Sequence, residues 1–324
     1  MKTKSTTLNR VRTSLVASAI LVFSVSLLFA AETQTKQKEF DSPKAAGDAL
    51  VQAAESFDVP ALKEILGPGS EDIVSSEDPV QDKSRAAAFA TLAHEKNSIE
   101  IDPKNPNTAS LLVGKGDWPL PIPIVKRKTT WLFDTKAGRE AILDRRIGAN
   151  ELDVIEICRG FAEAQHEYAE EKHDDSKVNQ YAQKIISTPG KHDGLAWKNP
   201  DGTWGGPVGE EIAQALEEGY SKKDEPFHGY YFKVLKGQGP ATELGQMDFV
   251  VEGAMIGGFA LAAAPAQYRV TGVQTFIVGA DGVVYEKDFG ANTLKEFEKM
   301  DRYNPDTTWK PTDDEWPDSE EETP

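Results

Sequence analysis

The chain has 324 residues, with 36 Lys and Arg against 53 Asp and Glu, and a formal net charge of −17. That acidity argues against a general nucleic-acid binder, which needs a cationic surface. A hydrophobic fraction of 39% with six tryptophans is enough for a folded core, and a single cysteine rules out a disulfide framework or a Cys-rich metal site.

The first thirty residues read as an export signal. Lys2, Lys4, Arg10 and Arg12 precede an apolar stretch at residues 14–31, no acid comes before Glu32, and Ala30-Ala31 offers small residues for cleavage. The alternative is an uncleaved anchor, since the stretch approaches the length that spans a bilayer. Contact with a membrane is expected only in that case. Residues 31–41 form a polar leader.

Ser42-Pro43 predicts a helix start, followed by apolar residues at helical spacing through Phe57. Asp58 caps a second, shorter helix that Gly67-Pro68-Gly69 stops. A third helix is expected over 79–96, with Ala86, Phe89, Ala90 and Leu92 facing inward. Short strands are expected at 98–101, 109–113 and 129–134. Between them, residues 118–125 alternate proline with apolar residues, which restricts them to an edge or extended strand.

Two helices follow, over 136–146 and 150–172. In the second, Val154, Ile155, Cys158, Phe161, Ala162, Gln165 and Tyr168 recur at spacings of three and four. Residues 187–207 are rich in loop formers, and a helix at 209–218 ends at Gly219. From Gly229 the pattern turns to strands, at 230–236, 248–252, 255–264, 272–278 and 283–287, with Asp281-Gly282 as a hairpin turn. The segment 312–324 is acidic and proline-bearing, and is expected to be disordered. Helices and strands segregate, so the fold class is α+β. The expected domains are an N-terminal α+β domain at 42–146 and a C-terminal domain at 147–311.

Several phrases carry a family resemblance: residues 117–123 (DWPLPIP), 131–135 (WLFDT), 146–152 (RIGANEL), 187–195 (STPGKHDGL), 227–232 (FHGYYF), 257–260 (GGFA) and 275–278 (TFIV). With them the chain resembles the uncharacterised bacterial domain-of-unknown-function family 2950, which implies no established activity. Residues 150–285 also resemble the globular heads of type IV pilins and pseudopilins. The matching features, in order, are Asn150-Glu151, Ala164-Gln165, Tyr168-Ala169, Gly229-Tyr230-Tyr231-Phe232, Ala263-Ala264-Pro265, Thr271-Gly272 and the closing turn through Tyr285. This resemblance implies a long helix packed on an antiparallel β-meander. The chain departs from pilins in having no apolar helix and no processing signature directly before Asn150. Residues 38–135 resemble the cystatin-like or nuclear-transport-factor-like fold, which implies helices on a curved antiparallel sheet.

Candidate chemistry is sparse. His166, Glu170 and His173 would share one face of a helix through 172 and so could hold a divalent metal; the alternative is a solvated acidic face. Asp174, Asp175 and Asn179 lack the alternation and the glycine of a calcium loop. Ser187, Lys191, Asp193 and Trp197 form a candidate binding loop with His228, where Ser–Lys would be nucleophile and base; turn residues explain the same positions structurally. Cys158 lies on an apolar stripe and is expected to be a buried thiol. Gly257-Gly258 lacks a nucleotide-binding context. Trp118, Leu120 and Ile122 form a candidate interaction edge, or else a proline-guarded one. No motif calls for a cofactor. The expected role is that of an exported, non-enzymatic cell-envelope protein, periplasmic or secreted, meeting an unknown envelope protein or a small ligand. The alternative is a periplasmic hydrolase or small-ligand-binding protein using the Ser187–Trp197 loop.

Overall fold

Helices begin where the sequence supplies side-chain caps. In the computed structural model, which describes residues 37–220 and 225–312, α1 (Pro43–Glu55) starts at Ser42, whose hydroxyl accepts the Ala45 N–H at 3.1 Å. Asp58 does the same for α2 (Val59–Leu66), accepting the Ala61 N–H at 3.0 Å. A short helix, α3 (Glu71–Val74), was not foreseen. Asp78 then caps α4 (Pro79–Glu95) by accepting the Gln81 N–H at 3.0 Å. On α4 the inward stripe is Ala86, Phe89, Ala90 and Ala93, whereas Leu92 is 40% exposed. The expectation that Leu92 faces inward fails because the helical period carries Ala93 to that face.

Five strands follow: β1 (Asn97–Ile101), β2 (Thr108–Val113), β3 (Trp118–Pro119), β4 (Ile124–Arg127) and β5 (Thr130–Phe133). They form an antiparallel sheet in the order β1-β2-β4-β5, with β3 beside β2 so that Trp118 lies opposite Val113. Ala109, Leu111 and Val113 point into a core with Leu50, Ile65, Ile124 and Phe133, over which α1, α2 and α4 pack. The expected single run at 118–125 is thus two strands, and the link between them turns inward.

One helix, α5 (Thr135–Tyr168, 34 residues), replaces the two that were expected. Gly148, in the suspected break, has open space around it, and its cost of about 1 kcal/mol in a helix interior is outweighed by neighbours that are held on both sides. Arg146 and Asn150 are both buried and hydrogen-bonded. Near its start α5 lies against the β3–β4 link: a Cβ on Gly138 would sit 2.5 Å from the Ile122 Cα and the Pro121 carbonyl oxygen. The helix ends at Tyr168, where the Asn179 amide donates to the Ala169 and Glu170 carbonyls at 2.8 and 2.9 Å.

A long connection carries the hairpin β6 (Trp197–Lys198) and β7 (Trp204–Gly205), then α6 (Gly209–Glu218), closed by Gly219 at φ +113°. Next come β8 (Tyr230–Leu235), the short pairs β9 (Gly237–Gln238) with β10 (Met247–Asp248) and β11 (Val250–Val251) with β12 (Ala254–Met255), then β13 (Ala260–Pro265), β14 (Thr275–Gly279) and β15 (Val284–Lys287). A 3₁₀ turn (Gly290–Asn292), α7 (Thr293–Lys299) and β16 (Lys310–Pro311) complete the described chain. The second sheet is an antiparallel meander in the order β8-β13-β14-β15-β16. Ile155 and Phe161 of α5 share its core with Phe276, and Phe232 packs against that core. On the opposite face, Lys233 donates to the Phe297 carbonyl of α7 at 2.6 Å. The architecture is α+β, as expected. Among the described residues both cores lie within one compact unit. The expected export signal and the acidic residues beyond Thr312 lie outside the described residues.

Candidate functional site

Two helices bring charge to the seam between the cores at the same spacing. On α4, Asp78, Asp82 and Arg85 follow i, i+4, i+7, counting the cap; on α5, Arg146, Asn150 and Asp153 do so. Asp82 is buried and accepts the Ser76 N–H at 2.6 Å and the Ser76 hydroxyl at 3.0 Å, with Arg146 4.0 Å away. Arg146 donates to the Asp72 carbonyl at 2.6 Å and to that of Ile73. Arg85 donates to the Asn150 amide oxygen, and the Asn150 amide donates to the Thr271 carbonyl at 2.7 Å. Asp78 also accepts the Gly229 N–H at 2.9 Å and the Tyr220 hydroxyl at 3.1 Å. Burial raises the Asp82 carboxyl and lowers both guanidiniums, because each charge leaves water.

His228 completes this seam. Its Nδ1 donates to Asp153 Oδ2 at 2.6 Å. His228 and Gly229 are consecutive left-handed residues, at φ +50° and +75°. A Cβ on Gly229 would meet the Asn150 amide nitrogen at 2.6 Å, so only glycine lets the chain pass there. Histidine oriented by a carboxylate is the geometry of a base and its positioning group. Here it is built into the packing between α4, α5 and the entry to β8.

The candidate binding loop is a second, separate network, and no hydrogen bond joins it to His228 among the described residues. Ser187 Oγ accepts the Gly194 N–H at 2.9 Å and donates to its carbonyl at 3.3 Å, so the hydroxyl staples the loop. Asp193 takes Lys184 rather than Lys191 as its cation, at 2.8 Å, and accepts the Thr188 N–H and hydroxyl at 2.7 and 2.8 Å. Partial burial alone would raise Asp193, but the Lys184 and Thr188 hydrogen bonds outweigh it and hold the carboxyl at about 2. Lys191 is exposed and gives its backbone N–H to Thr188 at 2.9 Å. Trp197 tilts against His192, ring centroids 4.5 Å apart, and lies 5.7 Å from His173. The hydrogen bonds of Ser187, Asp193 and the Lys191 N–H thus close within the loop and on Lys184, and none of them reaches His228 among the described residues.

The metal candidates also separate. Because α5 ends at Tyr168, His173 lies beyond the helix, stacked on Tyr168 at 3.8 Å with Nε2 2.8 Å from the Tyr168 carbonyl. His166 turns to the Ala280 carbonyl at 3.2 Å, and Glu170 sits in the turn after the helix. No group of three metal-ligating side chains converges among the described residues. Asp174 accepts the His192 N–H at 3.0 Å, closing the loop on itself. Cys158 is fully buried, and burial pushes its thiol up to about 12.

At the candidate edge the three residues divide. Trp118 is 65% exposed, Leu120 is half-buried against the N-terminal core, and Ile122 is 2% exposed within it. Ile122 is thus corrected from edge to core residue, since α5 lies directly on its backbone. The Trp118 indole lies against the turn Gly114–Asp117: a Cβ on Gly116 would sit 2.7 Å from its Nε1. Lys96 and Asp117 close the turn at 2.7 Å. A Cβ on Gly114 would lie 3.3 Å from Leu92 Cδ2 and 3.8 Å from Trp118 Cδ1, so the two exposed apolar side chains border one glycine turn.

Missed from sequence were Asp78, Asp82, Arg85, Arg146, Asp153 and Lys184. For all but Lys184, which lies in the loop after α5, the signal was the i, i+4, i+7 spacing of polar and charged residues on two helices otherwise read for apolar ones.

Two packed cores sharing one long helix across a charged seam define an α+β protein without a convergent cofactor or metal set among the described residues. The sequence profile of a protein family of unknown function, DUF2950, matches residues 37–312, and the chain belongs to that family. No curated protein and no solved structure matches it.

Proposed function

We propose that the chain is an exported cell-envelope protein that acts by contact with another protein or with the envelope, not by turnover. Export is supported by the basic, apolar and small-residue succession of residues 1–31. A contact role is supported above all by Trp118, a large aromatic 65% exposed on a glycine turn with Leu92 beside it. Rigid aromatic side chains supply much contact area at small entropic cost. Pro119 lacks a ladder donor, so this corner resists indiscriminate strand pairing while leaving the indole available. The likeness to pilin heads belongs to the same proposal, supported by α5 lying across the β8–β13–β14–β15 meander.

The test is fractionation of bacteria producing the chain with a C-terminal tag, with a photoreactive analogue at position 118. The expected result is an envelope or extracellular product with a new N-terminus near Ala31 and a discrete adduct formed through position 118. Full-length protein confined to the cytosol removes the export half. An exported product that forms no adduct at 118, while an analogue at Ile101 does, moves the contact surface elsewhere.

A further inference from the structure

The helix α6 is built as an amphipathic helix but is scarcely covered. Of its ten residues only Gly209 is buried; Ile212, Ala213 and Ala215 are half-covered and Leu216 is 39% exposed. It carries four glutamates and no basic residue. Glu210 and Glu211 stand in the first turn, where the helix dipole favours acids, but Glu217 and Glu218 stand in the last turn, where it opposes them. Their placement therefore works against the isolated helix. Between α6 and the β6–β7 hairpin runs a groove of about 590 Å³, with Trp204, Ala213 and Leu216 as its apolar lining and Glu210 and Glu217 on it, seven residues apart on one helix face. Among the described residues neither glutamate enters an ion pair.

An indole, a leucine and two unpaired carboxylates set along one helix face are complementary to one kind of occupant: an apolar anchor flanked by cations. We propose that the groove between α6 and the β6–β7 hairpin docks a cationic amphipathic segment of a partner protein, an apolar side chain seated between Trp204 and Leu216 and Lys or Arg groups meeting Glu210 and Glu217. This rests on the contact role proposed above but uses a different surface from Trp118, so the two fail separately.

The probe is a fluorescein-labelled helical peptide of Leu and Lys, about 14 residues or four turns long, titrated into the full chain and followed by anisotropy. Binding is expected, and the pair Glu210→Gln/Glu217→Gln is expected to weaken it about tenfold through loss of two charge contacts. Leu216→Ser is expected to weaken it as well. A peptide with Glu in place of Lys is expected not to bind. Glu100→Gln/Glu163→Gln, which removes the same charge from exposed sites elsewhere, is expected to leave binding unchanged; equal weakening by this pair would reduce the effect to net charge and overturn the proposal. Displacement of the peptide by tetramethylammonium would overturn it in favour of a small-cation site. Loss of binding in Trp118→Ala with retention in the α6 variants would also overturn it, while leaving the Trp118 contact role standing.

Discussion

The two sheets of this protein solve the same packing problem in different ways. In the first, Ala109, Leu111 and Val113 of β2 are buried while the residues between them are half-exposed, because helices cover one face only. In the second, every residue of β13 and β14 is buried. Register explains it: the row Phe232, Ala263, Phe276 faces α5, and the next row, Lys233, Ala262, Ile277, faces α7. A sheet covered twice has no tolerant side. The alanines at 260 and 262–264 fit this, since small side chains let layers approach from both faces. The widest gap is expected between Ala262→Asp and Leu112→Thr. The first buries a carboxylate opposite Lys233, whose ammonium is already held by the Phe297 carbonyl at 2.6 Å, costs several kcal/mol and leaves no cooperative unfolding transition near neutral pH. The second, on the half-buried face of β2, costs about 1 kcal/mol or less. Urea denaturation followed by tryptophan fluorescence reads both, and a folded Ala262→Asp protein would mean that the second sheet has an open face after all.

The seam between the sheets sharpens the contrast, because there the packing is polar. Asn150 carries the link from Arg85 to the Thr271 carbonyl and is 1% exposed. Asn150→Ala leaves the half-buried Arg85 guanidinium and a buried carbonyl without this partner and is expected to cost about 2–3 kcal/mol. The same substitution at the exposed, unshared Asn107, in the turn before β2, is expected to move the urea midpoint little. Equal effects at the two positions would show that the seam does not bind the two cores together.

What was legible in the chain follows the same division. One-sided elements announced themselves: Ser42 and Asp58 capped their helices, the stripe from Val154 to Tyr168 faced the core, and Asp281-Gly282 closed the β14–β15 turn. Elements whose environment is set by distant chain did not. Gly148 reads as a helix break until Arg146 and Asn150 are seen held by chain far away in sequence. Ile122 reads as an edge residue until α5 is laid on its backbone through Gly138. Asp193 shows several lysines nearby in sequence, and only the folded turn selects Lys184 over Lys191. The candidate site was legible as residue types and not as partnerships, because each partnership depends on which turns close.

The smallest expected effect separates the loop from the seam by the sign of its response to acid. Asp193 is held at about 2 by Lys184 and Thr188, below the ordinary carboxylate value. Its hydrogen bonds therefore contribute fully above about pH 4 and are lost as pH falls toward 2. Asp82 in the seam is shifted the other way by burial, so the folded state takes up its proton first, and its contribution falls only as pH rises through that raised value. Acid should thus weaken the Ser187–Trp197 loop before it weakens the seam. Asp193→Asn is expected to cost about 1 kcal/mol near neutral pH, discounted because the side chain is one-third exposed, and to cost nothing measurable near pH 2. Urea midpoints of parent and variant compared across that range give the answer. A constant difference at both ends would mean that the Asn loses packing rather than charge, and that Lys184 contributes nothing as a cation to closing the loop.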